Sequence, residues 1–293
     1  MSSDAQLEAM AGELEASGQY RVLRRLETEP FDQQVAGTRR GVFLDVETTG
    51  LDHRQHEVIE LALVPFSYTQ DGEITAISEP ITRLRQPSHP IPREITAITG
   101  LTDADVEGHT IDAAEIAAII EPAAIVLAHN AAFDRPFAEQ AWPCFSIKPW
   151  GCSMSEVPWA EEGFDGLKLS YLAMAHGVFF DAHRAANDCL AALHILRRPL
   201  PSGVTGLARL LKAARAPSWR IWAENAPYDL KDKLKARNYR WSDGGDGRPR
   251  SWWTDVSNQQ LEAELAHLRM EIYGAEVDLR PRRMTAFERY SAR

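Results

Sequence analysis

Two long apolar segments in the first quarter of the sequence constrain the fold most strongly. The segments "GVFLDVETTGL" (residues 41–51) and "EVIELALVPFSY" (57–68) are rich in aliphatic, β-branched and aromatic residues and predict two buried strands. The first contains two acids, Asp45 and Glu47, which are one residue apart and therefore point to the same side of the strand. Like charges this close repel each other and lose hydration, so we expect a positive group between them.

The rest of the pattern extends this pair of strands into a mixed α/β sheet. A strand is predicted at 73–85 and another, buried, at 123–130. The apolar spacing predicts helices at about 92–98, at 112–120, from 133, from 167 to before Gly177, and at 183–198. Strands first in a meander and then alternating with helices are typical of a mixed sheet with helices packed against it.

The sequence divides into three predicted regions. An N-terminal helical extension is predicted at residues 1–37. Over 4–36 it would form one or two amphipathic helices, with apolar residues at helical spacing: Leu7, Met10 and Leu14, then Val22, Leu23 and Leu26. The segment "RRPLPSGVTG" (197–206) is rich in proline and glycine and predicts the end of a domain at 38–199. The C-terminal module, 200–293, contains helical segments and a hairpin pattern, "NYRWSDGGDGRPRSWWTDV", with aromatic strands on either side of a glycine-rich turn.

Composition narrows the class of protein. The N-terminus is acidic and amphipathic, unlike a signal peptide, and no apolar run approaches the roughly 18 residues of a membrane span. The three cysteines show no metal-ligand spacing, which favours reduced thiols in a cytoplasmic protein. The net charge of −10 hides an asymmetry: residues 212–253 contain ten Lys or Arg against five acids, a net +5, which leaves −15 for the remainder.

Three further residues predict where the chemistry lies. Asp134 follows a buried strand, and His183 and Asp188 flank the start of a helix, positions at which ligand sites form in α/β sheets. Four converging carboxylates would require about four positive charges, which two divalent cations supply, and oxygen ligands favour Mg²⁺ or Mn²⁺. Such a pair of ions suits in-line attack on a phosphodiester, and His183 can accept the proton of the attacking water.

The order of these motifs resembles that of the DnaQ-like 3′–5′ exonucleases. The matching segments are Asp-x-Glu-Thr-Thr-Gly at 45–50, His-Asn-Ala-x-Phe-Asp at 129–134, and His-x-x-x-x-Asp at 183–188. The histidine of the last motif is similar to that of the branch containing the proofreading epsilon subunit of bacterial DNA polymerase III. "ITGLT" at 98–102 also resembles a segment of that family. The resemblance covers about 40–199.

The resemblance implies a ribonuclease-H-like fold and stepwise release of 5′-mononucleotides from a 3′ end. It implies that Asp45, Glu47, Asp134 and Asp188 are the metal ligands and that His183 is the general base. The backbone at Thr48 and Thr49 and the side chains of Leu51 and Phe133 would hold the terminal nucleotide. Single-stranded DNA is the substrate expected by this analogy, with a polymerase or repair protein as a partner.

Two histidine-containing segments allow more than one interpretation. His129 and Asn130 either contact substrate or cap the helix that follows, with Asn130 fixing the turn. His53 and His56 have ligand-like spacing but lie in a polar segment, which favours a surface position.

The C-terminal module alternates cations with aromatic residues, a pattern suited to phosphates and stacked bases. The candidate nucleic-acid patch is Lys231, Lys233, Lys235, Arg237, Arg240, Trp241, Arg248, Arg250, Trp252 and Trp253. Some of these tryptophans are equally expected in the core of a small domain. Two alternatives to a DNA exonuclease stay open: an exoribonuclease resembling oligoribonuclease, and a nucleic-acid-binding polymerase subunit with incidental catalysis.

Overall fold

In the computed structural model, which describes residues 3–27, 30–245 and 248–292, the two apolar segments are neighbouring antiparallel strands of one mixed sheet. The strands of this sheet are β2 (Phe31–Asp32), β3 (Arg39–Thr48), β4 (Val58–Tyr68), β5 (Ile74–Ile77), β6 (Ile81–Leu84), β7 (Ile125–Ala128) and β8 (Trp150–Cys152). A separate parallel pair consists of β1 (Arg24–Arg25) and β9 (Val178–Phe179).

The order of the strands identifies the fold class. The main sheet runs β2-β5-β4-β3-β7-β8, with β6 beside β4. β4 is antiparallel to β3, whereas β7 and β8 continue the sheet in parallel. This is the mixed, ribonuclease-H-like sheet predicted from the sequence, and the prediction of the fold class is confirmed.

Helices flank this sheet and explain why its central strands are apolar on both faces. The helices of this part of the chain are α1 (Ser3–Ala16), α2 (Arg93–Thr99), α3 (Asp103–Val106), α4 (Ala113–Ile120), α5 (Ala131–Ala141), α6 (Leu169–Ala175), α7 (Ala185–Arg197) and α8 (Gly206–Arg215). α7 packs on β3 and β4, while α5 contacts β3, β7 and β8. Phe43, Leu44, Leu61 and Leu63 are fully buried between these layers.

Two predicted elements differ in the structure. The strand expected at 73–85 is two strands, β5 and β6, because Glu79 and Pro80 interrupt it and proline cannot donate to a ladder. Of the one or two helices expected over 4–36, one forms. The helical spacing at Val22 to Leu26 does not give a second helix, because this segment contains β1, whose backbone pairs with β9. α1 forms as predicted, but Leu7 and Met10 on it are exposed rather than packed.

The C-terminal part has its own sheet and its own core. Its strands, in the order β11-β12-β10-β13, are β10 (Ser218–Ala223), β11 (Arg240–Trp241), β12 (Trp252–Ser257) and β13 (Arg282–Met284). Its helices are α9 (Lys231–Ala236) and α10 (Leu261–His267). The predicted hairpin is confirmed by the pairing of Trp241 with Trp252. Residues 246 and 247 of its predicted glycine-rich turn lie outside the described residues.

The chain separates into two compact units, Met1–Leu211 and Lys212–Arg293. The first unit includes the residues on both sides of the domain borders predicted after residues 37 and 199, so those borders stay predictions. No helix within the described residues is long and apolar enough to cross a bilayer.

Candidate active site

The end of β3 presents the first two carboxylates on one side of the sheet. The regular pairing of β3 with β4 shifts between Glu47 and Thr48, where the strand turns away. The turn is held by the Thr48 hydroxyl, which donates to the Gly50 carbonyl at 2.6 Å. A Cβ on Gly50 would lie 2.3 Å from the ring of His56, so the close packing of this loop requires glycine.

The start of α7 brings a third carboxylate and the histidine to this place. His183 has a φ of +64° in the turn before α7, a left-handed conformation that is uncommon for residues other than glycine. Its backbone N–H donates to Asp188 Oδ2 at 2.9 Å, which ties the turn to the first turn of the helix. The His183 side chain is exposed. Backbone strain of this kind is concentrated at functional sites.

Three of the four predicted carboxylates converge. Within the described residues, one oxygen each from Asp45, Glu47 and Asp188 lies within 4.8 Å of the other two, and we call this group the carboxylate cluster. Asp134 lies beside it at the start of α5, where its Oδ1 accepts the Val46 N–H at 3.3 Å. A set of hard oxygen donors at this separation fits a divalent cation, so the cluster could hold a metal ion.

Electrostatics make this arrangement costly without a cation. Burial, reinforced by the neighbouring acids, raises the pKa of Asp45 well above its ordinary value. Burial likewise raises the pKa of Asp134, against the two backbone N–H groups that stabilise its charge. Burial and the charge of Asp188 raise the pKa of Glu47 to about 7. The pKa of Asp188 rises to about 6 through burial, opposed by its bond to the His183 backbone. A bound cation would favour the charged forms.

Sequence reasoning missed one acid that lies next to the cluster. Glu60 in β4 is paired with Glu47 across the sheet and is 1% exposed. Its carboxylate accepts the Ala185 N–H at 3.3 Å and the Arg184 Nη2 at 3.2 Å, so it holds the residues that follow His183. A single acid within the apolar run 58–66 is the sequence signal that could have identified it.

The residues expected to hold a nucleotide have distinct environments. Leu51 is 86% exposed. Phe133 stacks at a tilt on Phe137, with 5.0 Å between ring centroids. Thr49 is fixed by the Glu57 N–H, which donates to its Oγ1 at 3.0 Å. Substrate contact by these residues stays a prediction.

The structure gives His129 side-chain partners and places Asn130 at the turn before α5. The ring nitrogens of His129 lie 2.8 Å from Ser153 Oγ and 2.8 Å from the Leu167 carbonyl oxygen. Asn130 is the first residue before α5 and adopts a left-handed conformation with a φ of 97°, so it fixes the turn as one interpretation expected. Its side chain makes no capping hydrogen bond, so the expected side-chain cap is wrong. The alternative, contact with substrate, stays untested.

The two other histidines lie in the loop after β3. His56 is half-buried, and its Nδ1 is 3.0 Å from the Asp52 carbonyl oxygen. His53 packs edge-on against Phe137, with 6.1 Å between ring centroids. The predicted surface position is therefore only partly right, because both rings also pack against neighbouring residues.

The candidate nucleic-acid patch is distributed over different elements of the second unit. Lys231, Lys233 and Lys235 belong to α9, and Arg237 ends it, whereas Arg240 and Trp241 form β11. Arg248 and Arg250 precede β12, which begins with Trp252 and Trp253. The residues that are close in sequence are thus divided between a helix and a sheet.

A known protein family matches the part of the sequence that contains these site residues. A sequence model of the exonuclease family, RNase_T, matches residues 42–196, which contain the carboxylate cluster, Asp134 and His183. The chain belongs to this exonuclease family. The prediction of the family is therefore confirmed, and residues 42–196 form a nuclease domain.

The curated relatives that this chain matches are longer proteins. Over 163 residues, 53% of the chain, it is 31% identical to the PolC-type DNA polymerase III of Clostridium perfringens. Over 180 residues, 57% of the chain, it is 30% identical to the PolC-type enzyme of Staphylococcus haemolyticus. The chain spans only 11% and 12% of the lengths of these relatives.

Solved structures of nucleases give weaker matches. A complex of exonuclease X with 5′ overhanging duplex DNA has a TM-score of 0.40 and 23% identity, covering 52% of this chain and 88% of the other. A complex of E. coli exonuclease I with a dA16 oligonucleotide has a TM-score of 0.47 and 15% identity, covering 80% and 68% of the two chains.

Proposed function

We propose that this member of the exonuclease family is a metal-dependent 3′–5′ exonuclease that hydrolyses single-stranded DNA to 5′-mononucleotides. The observation that carries the proposal is the convergence of Asp45, Glu47 and Asp188 to within 4.8 Å, with three carboxylates drawn from two separate elements. Raised carboxyl pKa values at partly buried acids support a functional site rather than a solvated surface.

The acids of the site divide into two roles. Asp45, Glu47 and Asp188 would hold one cation directly, and Asp134 at the edge of the cluster would contribute to a second. Two Mg²⁺ or Mn²⁺ ions, when bound, would acidify the attacking water and offset charge on the leaving 3′-oxygen. The Val46 N–H fixes the Asp134 carboxylate, so this ligand is held in place by the backbone of β3 itself.

His183 is the proposed general base. Its exposed imidazole stands on a strained turn whose backbone is bonded to Asp188, so the ring is held near the cluster and remains accessible to water and substrate. An imidazole titrates near neutral pH and can accept the proton of the attacking water. The exposed Leu51 and the ring of Phe133 are the proposed contacts of the terminal nucleotide.

The proposal has further parts: the 3′–5′ polarity of cleavage, the preference for DNA, a polymerase or repair partner, and a cytoplasmic location. The match to PolC-type DNA polymerases supports a role with DNA. An exoribonuclease activity and a binding role with incidental catalysis are the alternatives that an experiment has to separate.

A denaturing-gel time course on a 5′-labelled single-stranded DNA tests the proposal. We expect a ladder that shortens one nucleotide at a time with Mg²⁺ or Mn²⁺ and is lost with a chelator or in Asp45→Ala. The matched control is Asp71→Ala, which removes an exposed acid in the turn between β4 and β5 and should leave the ladder unchanged. Faster shortening of a matched RNA would replace DNA by RNA as the substrate, and an intact label with folded protein would reject the exonuclease.

A further inference from the structure

The second unit has a sheet with two chemically different faces. In antiparallel pairs, residues directly opposite each other point to the same side of the sheet. Trp222 pairs with Trp253, and Arg240 pairs with the same Trp253, so these three side chains share one face. Arg220 and Arg282 are paired in β10 and β13 at positions of the same parity. We call this side the outer face: Arg220, Trp222, Arg240, Trp253, Asp255 and Arg282.

The opposite face of the sheet is covered by helices. Ile221 and Ala223 alternate with the outer-face residues of β10, and both are buried in a cluster with Leu234 of α9 and Leu265 of α10. Trp252, which points to this side, packs against the same cluster. The core of the unit therefore occupies the inner face, and Trp252 contributes to packing as one interpretation of the sequence expected.

Arginines surround an aromatic pair on the outer face. The rings of Trp222 and Trp253 lie 5.9 Å apart. The guanidinium carbons of Arg220, Arg240 and Arg248 lie 4.2, 4.9 and 5.9 Å from the centre of the Trp253 ring. Contacts of this kind hold arginine side chains against an aromatic surface while leaving N–H groups to bind anions.

The charges of this face are only partly neutralised. Asp255 forms two hydrogen bonds of 2.8 Å with Arg220, so this pair contributes no net charge. Arg240 and Arg282 are exposed at the two edge strands of the sheet. Among the described residues, no carboxylate lies within salt-bridge distance of Arg240. The outer face therefore carries net positive charge next to two tryptophans.

The basic residues of α9 are in a different situation. Lys233 forms an ion pair with Glu271, and Arg237 bonds to Glu264, which also accepts a hydrogen bond from Tyr239. Lys235 lies near Asp232, at 3.8 Å. These cations are balanced by acids on the helical side of the unit, although in the sequence they are adjacent to those of the sheet.

We propose that the outer face binds single-stranded nucleic acid, with phosphates at Arg240 and Arg282 and bases against Trp222 and Trp253. Guanidinium groups bind phosphate oxygens, and aromatic faces stack on unpaired bases without selecting a sequence. A stacked duplex presents no such base faces, which is why single strands are the ligand. The identity of this ligand as substrate rests on the proposed exonuclease function, whereas its binding does not.

Fluorescence anisotropy with a 5′-labelled oligothymidylate measures this binding in the full chain. Every protein carries Asp45→Ala and is measured in chelator, so that cleavage does not interfere. We expect Arg240→Ala/Arg282→Ala to weaken binding about tenfold and to lower the slope of log K against log salt by about 1.4. The matched control, Lys233→Ala/Lys235→Ala, removes the same charge from α9, where both lysines have acidic partners, and should change affinity less than about twofold.

Replacement of the aromatic surface gives a second test. Trp253→Ala should weaken binding by about 5- to 150-fold, the range of one lost base stack. The control Trp241→Ala removes an exposed ring that points to the other side of the sheet. Trp253→Ala could also unfold the unit. If the melting temperature of Trp253→Ala falls, the test is decided by the exposed-arginine variant Arg240→Ala/Arg282→Ala alone. Equal loss in both arginine and lysine pairs would overturn the outer face as the site, and so would no loss in either.

Cleavage of a dinucleotide, measured with the wild-type Asp45 restored, separates the two proposals. If the arginine pair weakens binding and dinucleotide cleavage is unchanged, both proposals stand. If wild-type protein cleaves but the arginine pair binds normally, the outer face is rejected and the exonuclease stands. If nothing is cleaved and binding still depends on the outer face, the exonuclease is rejected and the binding site stands.

Discussion

The carboxylate cluster and the outer face of the C-terminal sheet concentrate opposite charges in opposite ways. Asp45 and Glu47 are partly buried side by side on one strand, and burial raises the pKa values of both. The arginines of the outer face are spread over the strands β10, β11 and β13, and those of β10 and β11, Arg220 and Arg240, lie against the Trp253 ring. In the carboxylate cluster, the acids repel one another, and a small cation can reduce this repulsion. On the outer face, the positive charges are spaced so that they suit a polyanion.

This difference teaches that the net charge of −10 describes neither region. A cation site needs acids that converge within a few ångströms, whereas a phosphate-binding surface needs cations in a row with space between them. Four predictions test whether the two regions divide catalysis and affinity in this way.

The largest effect is expected from Asp45→Ala, which should abolish cleavage while leaving the affinity for single-stranded DNA in chelator nearly unchanged. The variant removes one member of a repelling group, so its metal-free melting temperature should equal or exceed that of the wild type. Gel assays, anisotropy and thermal denaturation measure the three quantities. A clear fall in metal-free melting temperature would contradict the electrostatic argument.

His183→Ala should lower the single-turnover rate by about 10²- to 10⁴-fold because the water loses its proton acceptor. Binding of Mn²⁺, followed by titration calorimetry, should stay close to the wild type, since the carboxylates remain. His109→Ala, at an exposed histidine elsewhere in the same unit, is the matched control. Nearly normal turnover would remove His183 as the base.

Glu60 is expected to act as a positioning residue, through Ala185 and Arg184. Glu60→Ala should lower kcat by about 10- to 100-fold with little change in KM, as removal of supporting hydrogen bonds around a metal site does. Glu60→Gln keeps an oxygen for the Ala185 N–H and should recover most of the rate. Glu115→Ala, which breaks the ion pair with Arg83, is the control. Equal losses in the Ala and Gln variants would mean that the charge, not the position, is what matters.

The smallest effect is expected in the pH dependence of metal-free stability. The pKa values of Glu47 and Asp188 are raised in the folded state to about 7 and about 6, so the folded protein retains protons that the unfolded chain has released. These two groups therefore make the free energy of unfolding fall as the pH rises from about 4 to about 7, by an amount on the order of 1 kcal/mol or more.

A difference measurement isolates this contribution. Burial lowers the pKa of His194 to about 4, which makes stability fall as the pH decreases and opposes the carboxylates. The free energies of unfolding of wild type and Glu47→Gln are measured by urea denaturation from pH 5 to pH 8. The contribution of His194 is the same in both proteins and cancels in the difference. We expect the difference in metal-free stability to favour the variant increasingly toward pH 8. With saturating Mg²⁺ it should reverse to favour the wild type, because only the wild type keeps the Glu47 carboxylate as a ligand. A difference that is constant with pH would contradict the raised pKa of Glu47.

The structure of the first unit, which contains the carboxylate cluster, was easier to predict from the sequence than that of the second unit. Its strands β3, β4 and β7 follow from apolar runs that only a doubly covered sheet can bury, and Asp45 and Glu47 follow from the alternation of a strand. Of the one or two N-terminal helices expected, the second does not form: Val22 to Leu26 have helical spacing but contain β1, which pairs with β9 from far along the chain. Pairing between distant segments leaves no local pattern, and this is why tertiary contacts can override spacing.

Local sequence therefore determined the strands, the motifs and the residue types of the site, because alternation and turn chemistry act over a few residues. Only the tertiary structure decided that Glu60 supports the turn at His183, since these residues are separated by more than a hundred positions. It also divided the basic segment of the C-terminal unit, placing Arg240 on the face opposite Leu234 although the two are only six positions apart. The face that a charged side chain occupies depends on strand register and helix packing, and neither can be predicted from local sequence patterns alone.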